Sequence, residues 1–452
     1  MEKPQHLDLN GNPFELSSFT MKEIYDAIPP HCFKPSTIRS LAYVVRDYFY
    51  LSTLVYLAVT YIPMIPYSPL RFLAWTTYTV LQGFVFTGIW ILAHECGHGA
   101  FSKSKKLNWT LGLIMHSFLL VPFHSWRLSH AQHHKATGNI ERDTAFVPKL
   151  RDEWIKEHLG ENVSDNLVEL AELAEDSPIS ALWHDIVHQL FGWPGYLLFN
   201  LTGQKYGGAK GMRISHFYFG KDSVFYKENE LGLIILSDVA VAVMIAALIV
   251  GGRLFGSWNM LVLWFVPWLW VNNWIVAITF LQHTDATMPH YSNSTWNFAR
   301  GATATIDRDL GFIDTHLFHD IIGTHVCHHL VSTIPFYYAG EASVHIRRVM
   351  GKHYKADTKT PFWTAFWRNQ RSCKFVEESK GCEGSGVYMF RNLHSTPDGK
   401  VNPKVSKDIV SEKSDNRDEM KSVLSSSINI DARRRLSQSA QLRANLPILA
   451  EA

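Results

Sequence analysis

The chain has 452 residues, of which 46% are hydrophobic and 13% aromatic, and its formal net charge is +2. So small an imbalance gives no general electrostatic reason for a nucleic-acid partner. Of five cysteines, Cys96 and Cys327 lie inside histidine clusters and Cys32, Cys373 and Cys382 are scattered, without disulfide-framework or zinc-finger spacing, which fits a reduced, cytosol-facing setting.

The opening MEKPQHLDLNGNPFEL has no apolar core of the kind a cleaved signal peptide needs. Residues 1–40 are expected to be a cytosolic N-terminal segment, with membrane insertion left to an internal span. Four later segments are long and apolar enough to cross a bilayer. They are Tyr48–Ile65, closed by Pro63 and Pro66; Phe72–Ala93, which carries no charge; Leu231–Gly251, flawed only by Asp238; and Trp258–Leu281, which contains Pro267. Backbone groups in lipid must bond internally, so all four are predicted helices. Asp238 is predicted to face a helix partner rather than lipid. Leu111–Phe123 is apolar but too short to cross, and Ile186–Leu201 is amphipathic around Trp193 and Tyr196. Both are predicted as interfacial or re-entrant helices, with a buried soluble-type helix as the alternative.

The predicted fold is therefore all-α and integral to the membrane: about four transmembrane helices, interfacial helices, and a cytosolic cap that carries histidines. The connections Pro66–Arg71 and Gly252–Ser257 are short and hold one arginine each, while the remaining charge lies on the other side. The positive-inside rule then places both termini and the long central loop in the cytosol. Residues 41–375 are expected to form one membrane domain and 376–452 a C-terminal segment. From about residue 394 that segment is rich in Ser, Lys, Asp and Asn and is expected to be disordered. Its Arg433-Arg434-Arg435-Leu436-Ser437 run reads as a solvated basic patch rather than a kinase target.

Histidine is the unusual residue, with 23 copies and three tight clusters. His94-Glu95-Cys96-Gly97-His98 follows the second span. His130-Ala131-Gln132-His133-His134 follows the segment too short to cross, and His325-Val326-Cys327-His328-His329 follows the fourth span. Positions i, i+3 and i+4 share a helix face, so each cluster can aim two or three imidazoles at one point. All three clusters fall on the same side of the membrane. Imidazole suits zinc, iron, copper and nickel alike. Catalytic zinc commonly takes three protein ligands, so eight histidines favour two octahedral irons. An all-nitrogen set without a Glu-x-x-His pair separates the site from carboxylate-rich di-iron bundles. Glu95 is expected behind the ligands, holding an imidazole proton. A metal transporter would place ligands at mid-membrane on facing helices, and a zinc hydrolase would need fewer of them.

These motifs resemble those of the membrane fatty-acid desaturases, specifically the fungal and plant oleate delta-12 type and its omega-3 relatives. The residues that carry the resemblance are HECGHGAF (94–101), HAQHH (130–134) with TGNIERDTAFVP after it, FLQHTD (280–285) and FHDIIGTHVCHHLVSTIPFYYA (318–339). It covers roughly residues 40 to 375. It implies that His94, His98, His130, His133, His134, His325, His328 and His329 ligate two Fe ions, with His283 as a further ligand. Related acyl-CoA desaturases have an asparagine one turn before that histidine; Thr279 stands there in this chain, so that contact is not implied. His319 is expected behind the ligands, and His116, His124, His290 and His345 outside the site. The implied chemistry takes two hydrogens from adjacent methylenes and reduces O2 to water. The sequence has no flavin, nicotinamide or haem fingerprint, so the electrons are expected from a separate cytochrome b5 and its reductase, at the endoplasmic reticulum membrane. The expected substrate is a fatty-acyl lipid or acyl-CoA, and the expected product is linoleoyl from oleoyl chains. Omega-3 or bifunctional desaturation, and hydroxylase, acetylenase or conjugase variants, share the same motifs. An apolar tunnel is expected beneath the metals, with Trp75, Phe84, Trp90, Trp264, Trp268, Trp270 and Trp274 as candidate walls.

Overall fold

The computed structural model describes residues 5–159, 178–206 and 211–392, all of which fall in one compact unit. The tail expected to be disordered, the basic run at 433–437 and Asn162, which opens the N-x-S/T glycosylation sequon Asn162-Val163-Ser164, lie outside the described residues. Helices in chain order are α1 Met21–Ala27, α2 Thr37–Tyr61, α3 Ser68–His98, α4 Lys105–Phe118, α5 Phe123–Ala136, α6 Arg151–Leu159, α7 Pro178–Phe199, α8 Leu231–Phe255, α9 Ser257–Met260, α10 Val266–His283, α11 Phe298–Ala302, α12 His325–Leu330, α13 Phe336–Met350 and α14 Phe362–Ser372. Between α9 and α10, Leu261–Phe265 is a π turn.

Three helical stretches are long and apolar enough to cross a membrane: Ser68–His98, Glu228–Phe255 and Ser257–His283. They contain the second, third and fourth predicted spans. The first predicted span, Tyr48–Ile65, falls on α2 as far as Tyr61 and then on the 3-10 turn Ile62–Met64; α2 is 25 residues long but does not match the other three in apolarity. It carries Arg46 and the buried Asp47, which are paired at 2.8 Å. α3 is the central helix, packed on α2, α4, α5 and α10. Its 31 residues span about 46 Å at ~1.5 Å per residue. A bilayer core takes about 20 residues, so the helix is longer than a crossing needs, and its last turns carry the first histidine cluster. Gly99, at φ +75°, ends the helix directly after that cluster. α8 is peripheral: only 17% of its most apolar window is buried in protein, and its outer face is lined by exposed residues such as Val239, Val243 and Ile249.

α3 and α10 approach closely because residue 83 is glycine. A Cβ there would lie 2.4 Å from Trp270 Cβ. The π turn before α10 has a local cause. Pro267 lacks an N–H, so the carbonyl of Leu263 loses its helical donor. The Tyr78 hydroxyl on α3 donates to that carbonyl at 3.1 Å instead, so one side chain repairs the break and ties the two helices together.

The apolar stretch predicted at Leu111–Phe123 is split. α4 ends at Phe118, Leu120 takes φ +59°, and α5 begins after Pro122. Trp268 Nε1 donates to the Leu119 carbonyl exposed by that turn, at 2.9 Å. The stretch at Ile186–Leu201 lies within α7, whose outer side exposes Ile179, Trp183 and Phe191 while Trp193, Tyr196 and Leu197 are buried.

The fold is mainly helical but not wholly α. Antiparallel strands β6 Phe375–Glu378 and β7 Val387–Arg391 pair with each other, and β7 pairs with β3 Pro289–Tyr291. β4 Asp307–Arg308 runs parallel to β5 Ala356–Asp357, and His6–Leu7 pairs with Pro13–Phe14 as β1 and β2. At the other end of the chain, Ile24, Ile28 and Cys32 share a core with Val326 and Cys327 of α12 and with Ala342 and Ile346 of α13. The N-terminal segment thus packs behind the third histidine cluster.

Candidate metal centre

The nine candidate histidines come together as two groups. His94, His98, His130, His134 and His328 have one ring nitrogen each within 4.8 Å of all the others, and His133, His283 and His329 form a second such set. His325 belongs with the second, its Nε2 lying 3.2 Å from that of His283. The rings of His134 and His329 stack at 4.1 Å where the groups adjoin.

This division corrects the expectation that each cluster aims at one point. Helix positions advance by about 100° per residue, so adjacent histidines diverge while i and i+4 stay together. On α5, His130 and His134 turn to the first group and His133 to the second. On α12, His325 and His329 turn to the second group and His328 to the first. Each H-x-x-H-H therefore serves both groups.

The donor set fits two metal ions. Nε2 atoms face one another at 3.0 Å (His94–His130), 3.1 Å (His130–His134), 3.3 Å (His94–His98) and 3.2 Å (His283–His325). Imidazole–metal bonds of about 2.1 Å give an octahedral edge of about 3.0 Å. Nε2 of His328 and of His329 are buried without a hydrogen-bond partner, an arrangement that costs free energy unless a cation accepts the lone pair. Burial first, and neighbouring imidazoles second, hold His130, His134, His325, His328 and His329 well below the ordinary histidine pKa. They are neutral at pH 7 and keep a lone pair for a metal.

Several supporting residues escaped the sequence reading. Asp143 Oδ1 accepts from His133 Nδ1 at 2.6 Å, which turns that Nε2 inward. The Thr137 hydroxyl sits 3.1 Å from His329 Nδ1 and donates to the His133 carbonyl at 2.7 Å. Asp307 and Arg308, adjacent on β4, hold two ligand-bearing elements. Asp307 Oδ1 accepts the Val326 amide at the start of α12 (2.9 Å). Arg308 is buried; it donates to the carbonyls of Leu281 and Thr284 on either side of His283, at 2.9 and 3.2 Å, and pairs with Asp285 at 3.0 Å. Removing one partner of such a buried pair costs ~3–5 kcal/mol. The only sequence signal was a run of charges between two apolar blocks.

Two expectations about supporting residues change. Glu95 does not hold an imidazole proton: its carboxylate is 3.5 Å from His94 Nδ1, which has no hydrogen-bond partner, and accepts the Phe336 amide at 3.2 Å instead. It therefore fixes the start of α13. His319 Nε2 donates to the Asp47 carboxylate of α2 at 2.8 Å, and its ring packs on Phe336 at 4.7 Å between ring centres. It tethers α2 to the segment before α12. His116 bonds the Trp90 carbonyl (3.3 Å), His124 is buried against Phe123 and Trp109, His290 lies in β3, and His345 is part-exposed on α13.

An apolar cavity of about 490 Å³ reaches the cluster from the side of α7 and α10. His94, His130, His133, His283, His325 and His329 form its inner end. Trp90, Trp126, Trp193, Tyr196, Ile275 and Phe280 contribute walls. Among the tunnel candidates only Trp90 lines it. Phe84, Trp264, Trp268 and Trp274 belong to the helix–helix core, Trp75 packs on Tyr78, and Trp270 closes on Gly83. Thr279 lines the cavity as well.

Apolar spanning helices, an all-imidazole centre sized for two metals and an apolar cavity ending on it define a metal-dependent membrane enzyme that acts on a long apolar chain. The fatty acid desaturase family model matches residues 71–361. An oleate hydroxylase of Claviceps purpurea is 47% identical over 405 residues, covering 85% of this chain and 83% of the relative. A delta-12 fatty acid desaturase of Mortierella alpina is 45% identical, covering 81% and 90%. An endoplasmic reticulum omega-6 fatty acid desaturase of Brassica juncea is 40% identical, covering 84% and 93%. The chain belongs to the fatty acid desaturase family, and it is a membrane oxidoreductase that acts on fatty-acyl chains.

Proposed function

We propose that this enzyme converts oleoyl to linoleoyl chains by delta-12 desaturation, at two irons held by His94, His98, His130, His134 and His328 on one side and by His133, His283, His325 and His329 on the other. The observation that carries the reading is the apolar cavity whose inner end is formed by six of these nine imidazoles. Relatives named for delta-12 desaturation supply the regiochemistry. A methylene C–H in an acyl chain offers nothing to acid–base catalysis; bound iron would supply the oxygen-derived oxidant it requires. The protein's own part is to hold the imidazoles, to lay the chain along Trp90, Trp126 and Ile275, and to keep water from the reacting carbons.

Expression in a yeast that lacks polyunsaturates, followed by fatty-acid analysis, tests this. Linoleate at the expense of oleate is the expected product. A second reading has a specific basis, since a relative 47% identical to this chain is named an oleate hydroxylase. Hydroxylated oleate as the main product would replace the first reading with the second.

The proposal includes four membrane crossings, with α2 as the first, and both termini and the histidine clusters on the cytosolic side of the endoplasmic reticulum membrane. Cytochrome b5 and its reductase would supply electrons there. Sidedness is open to a direct test at the N-x-S/T sequons. Asn108 and Asn200 are buried, with their amide groups donating to the carbonyls of Ser102 at 2.8 Å and Gln204 at 3.2 Å, so neither reports on sidedness. Asn293 is exposed and is the informative site in the described residues. None of the sequons is expected to be glycosylated. A deglycosidase-sensitive gel shift that disappears in Asn293→Gln would place this loop in the lumen and end the single-face topology.

A further inference from the structure

The histidine cluster has a second opening. A cleft of about 450 Å³ lies between the end of α3, the start of α4 and the N-terminal residues Phe33 and Pro35, and it shares no lining residue with the acyl cavity. His98 lies in its wall and is part-exposed; His130 is part-exposed as well but lines the acyl cavity, and His94, His134 and His328 of the same group are buried. Its charge has one sign. Lys103 and Lys105 line it, and no carboxylate does. The neighbouring Lys34 and Lys106 are exposed as well. Lys105 Nζ sits 4.3 Å from the centre of the Trp109 ring, and the Arg127 guanidinium lies 5.0 Å from the same ring. The centre thus separates an apolar chamber from a cationic cleft that meets solvent.

The desaturase reading creates a need that this cleft meets. Removing two hydrogens from the chain yields two electrons and two protons, while taking one O2 to two waters consumes four of each. Two further electrons must come from outside, with two protons from solvent, and no flavin, nicotinamide or haem fingerprint supplies them within the sequence. We propose that the cleft around His98 is the docking surface for a one-electron donor protein with an acidic face, and that His98 is the point at which electrons reach the cluster. Each of two successive dockings oxidises one donor haem from the ferrous to the ferric state. The proposal rests on the desaturase reading. Lys34, Lys103, Lys105 and Lys106 steer and orient an anionic partner, and His98 places the first histidine group one ring away from it. Anionic lipid headgroups would also match the charge, but a headgroup seated there would cover His98 and close this approach to the centre.

The test uses full-length, iron-loaded protein in vesicles of zwitterionic lipid, with the soluble haem domain of cytochrome b5 as donor. Wild type is compared with the triple variants Lys103→Glu/Lys105→Glu/Lys106→Glu and Lys103→Gln/Lys105→Gln/Lys106→Gln. The charge reversal is expected to raise the donor KM about tenfold or more, and the neutral variant to raise it less. The maximal rate should stay within about twofold, and the steep salt dependence of the wild type should flatten. Dithionite should reduce the centre equally in all three proteins. An unchanged donor KM and salt dependence overturns the proposal, and so does an equal loss of dithionite reduction. Weaker binding to anionic vesicles with an unaltered donor KM would assign the lysines to the membrane and also overturn it. Wild-type protein that binds two irons but accepts electrons only from dithionite refutes the donor site while leaving the desaturase reading standing; protein that binds no iron refutes both.

Discussion

Replacing His328 with alanine is expected to abolish product formation and to lower bound iron from two to about one per chain, while the protein stays in the membrane. The loss should fall on the ion held with His94, His98, His130 and His134. Replacing His325 should remove the other ion, held with His133, His283 and His329. The two residues are three apart on a six-residue helix, so sequence proximity alone would give the two variants one phenotype. The difference arises because the helix turns His328 away from His325 and His329 and toward the α3 cluster. Even removal of a partner behind a metal ligand costs about 10–100-fold in metal affinity or activity, so loss of a ligand itself should exceed that. Iron analysis with Mössbauer spectra of both variants decides the matter. Two irons retained with activity above about a tenth of wild type in either variant would refute the shared centre. A common spectrum for the remaining ion would refute the division into groups.

Much of this arrangement was legible in the sequence because it depends on local periodicity and segment length. Three of the predicted spans lie within helices of spanning length, and α5 and α12 display their histidines by the ordinary pitch of a helix. His283 was found by resemblance, since a single histidine at the end of a span has no local pattern. What could not be read depends on contacts between distant segments. Nothing in the apolar run 258–281 said that its proline-freed carbonyl would take a hydroxyl from Tyr78, or that most of its tryptophans would pack between helices instead of facing the substrate. The acyl cavity takes Trp193 and Tyr196 from α7, a helix identified from sequence only as amphipathic. The strands at 289–291, 375–378 and 387–391 are too short to show an alternation. Arg308 looked like one charge among several in the loop after span four, and only the fold shows that it clamps both sides of His283.

Asp143 shows how such a contact links the metal centre to the substrate wall. One carboxylate oxygen accepts from His133 Nδ1 at 2.6 Å and from the backbone amides of Ala145 and Phe146 at 2.9 and 3.3 Å. Ala145 and Phe146 line the acyl cavity. The same oxygen therefore fixes the tautomer of a histidine in the second group and the shape of the chamber beside it. Asp143→Asn removes the negative charge; its amide oxygen can still accept from the loop amides, but the bond to the imidazole loses the charge that strengthens it. Iron affinity or kcat is expected to fall about 10–100-fold, with little change in the KM for the acyl substrate. Asp143→Ala releases the loop as well, so it should show the same metal defect together with a raised acyl KM and a broader tolerance of chain length. Comparing iron content, kcat and KM in the two variants separates the two tasks. If the alanine variant keeps wild-type iron affinity, His133 does not need its carboxylate partner, and the second group is held by Thr137, Asp307 and Arg308 alone.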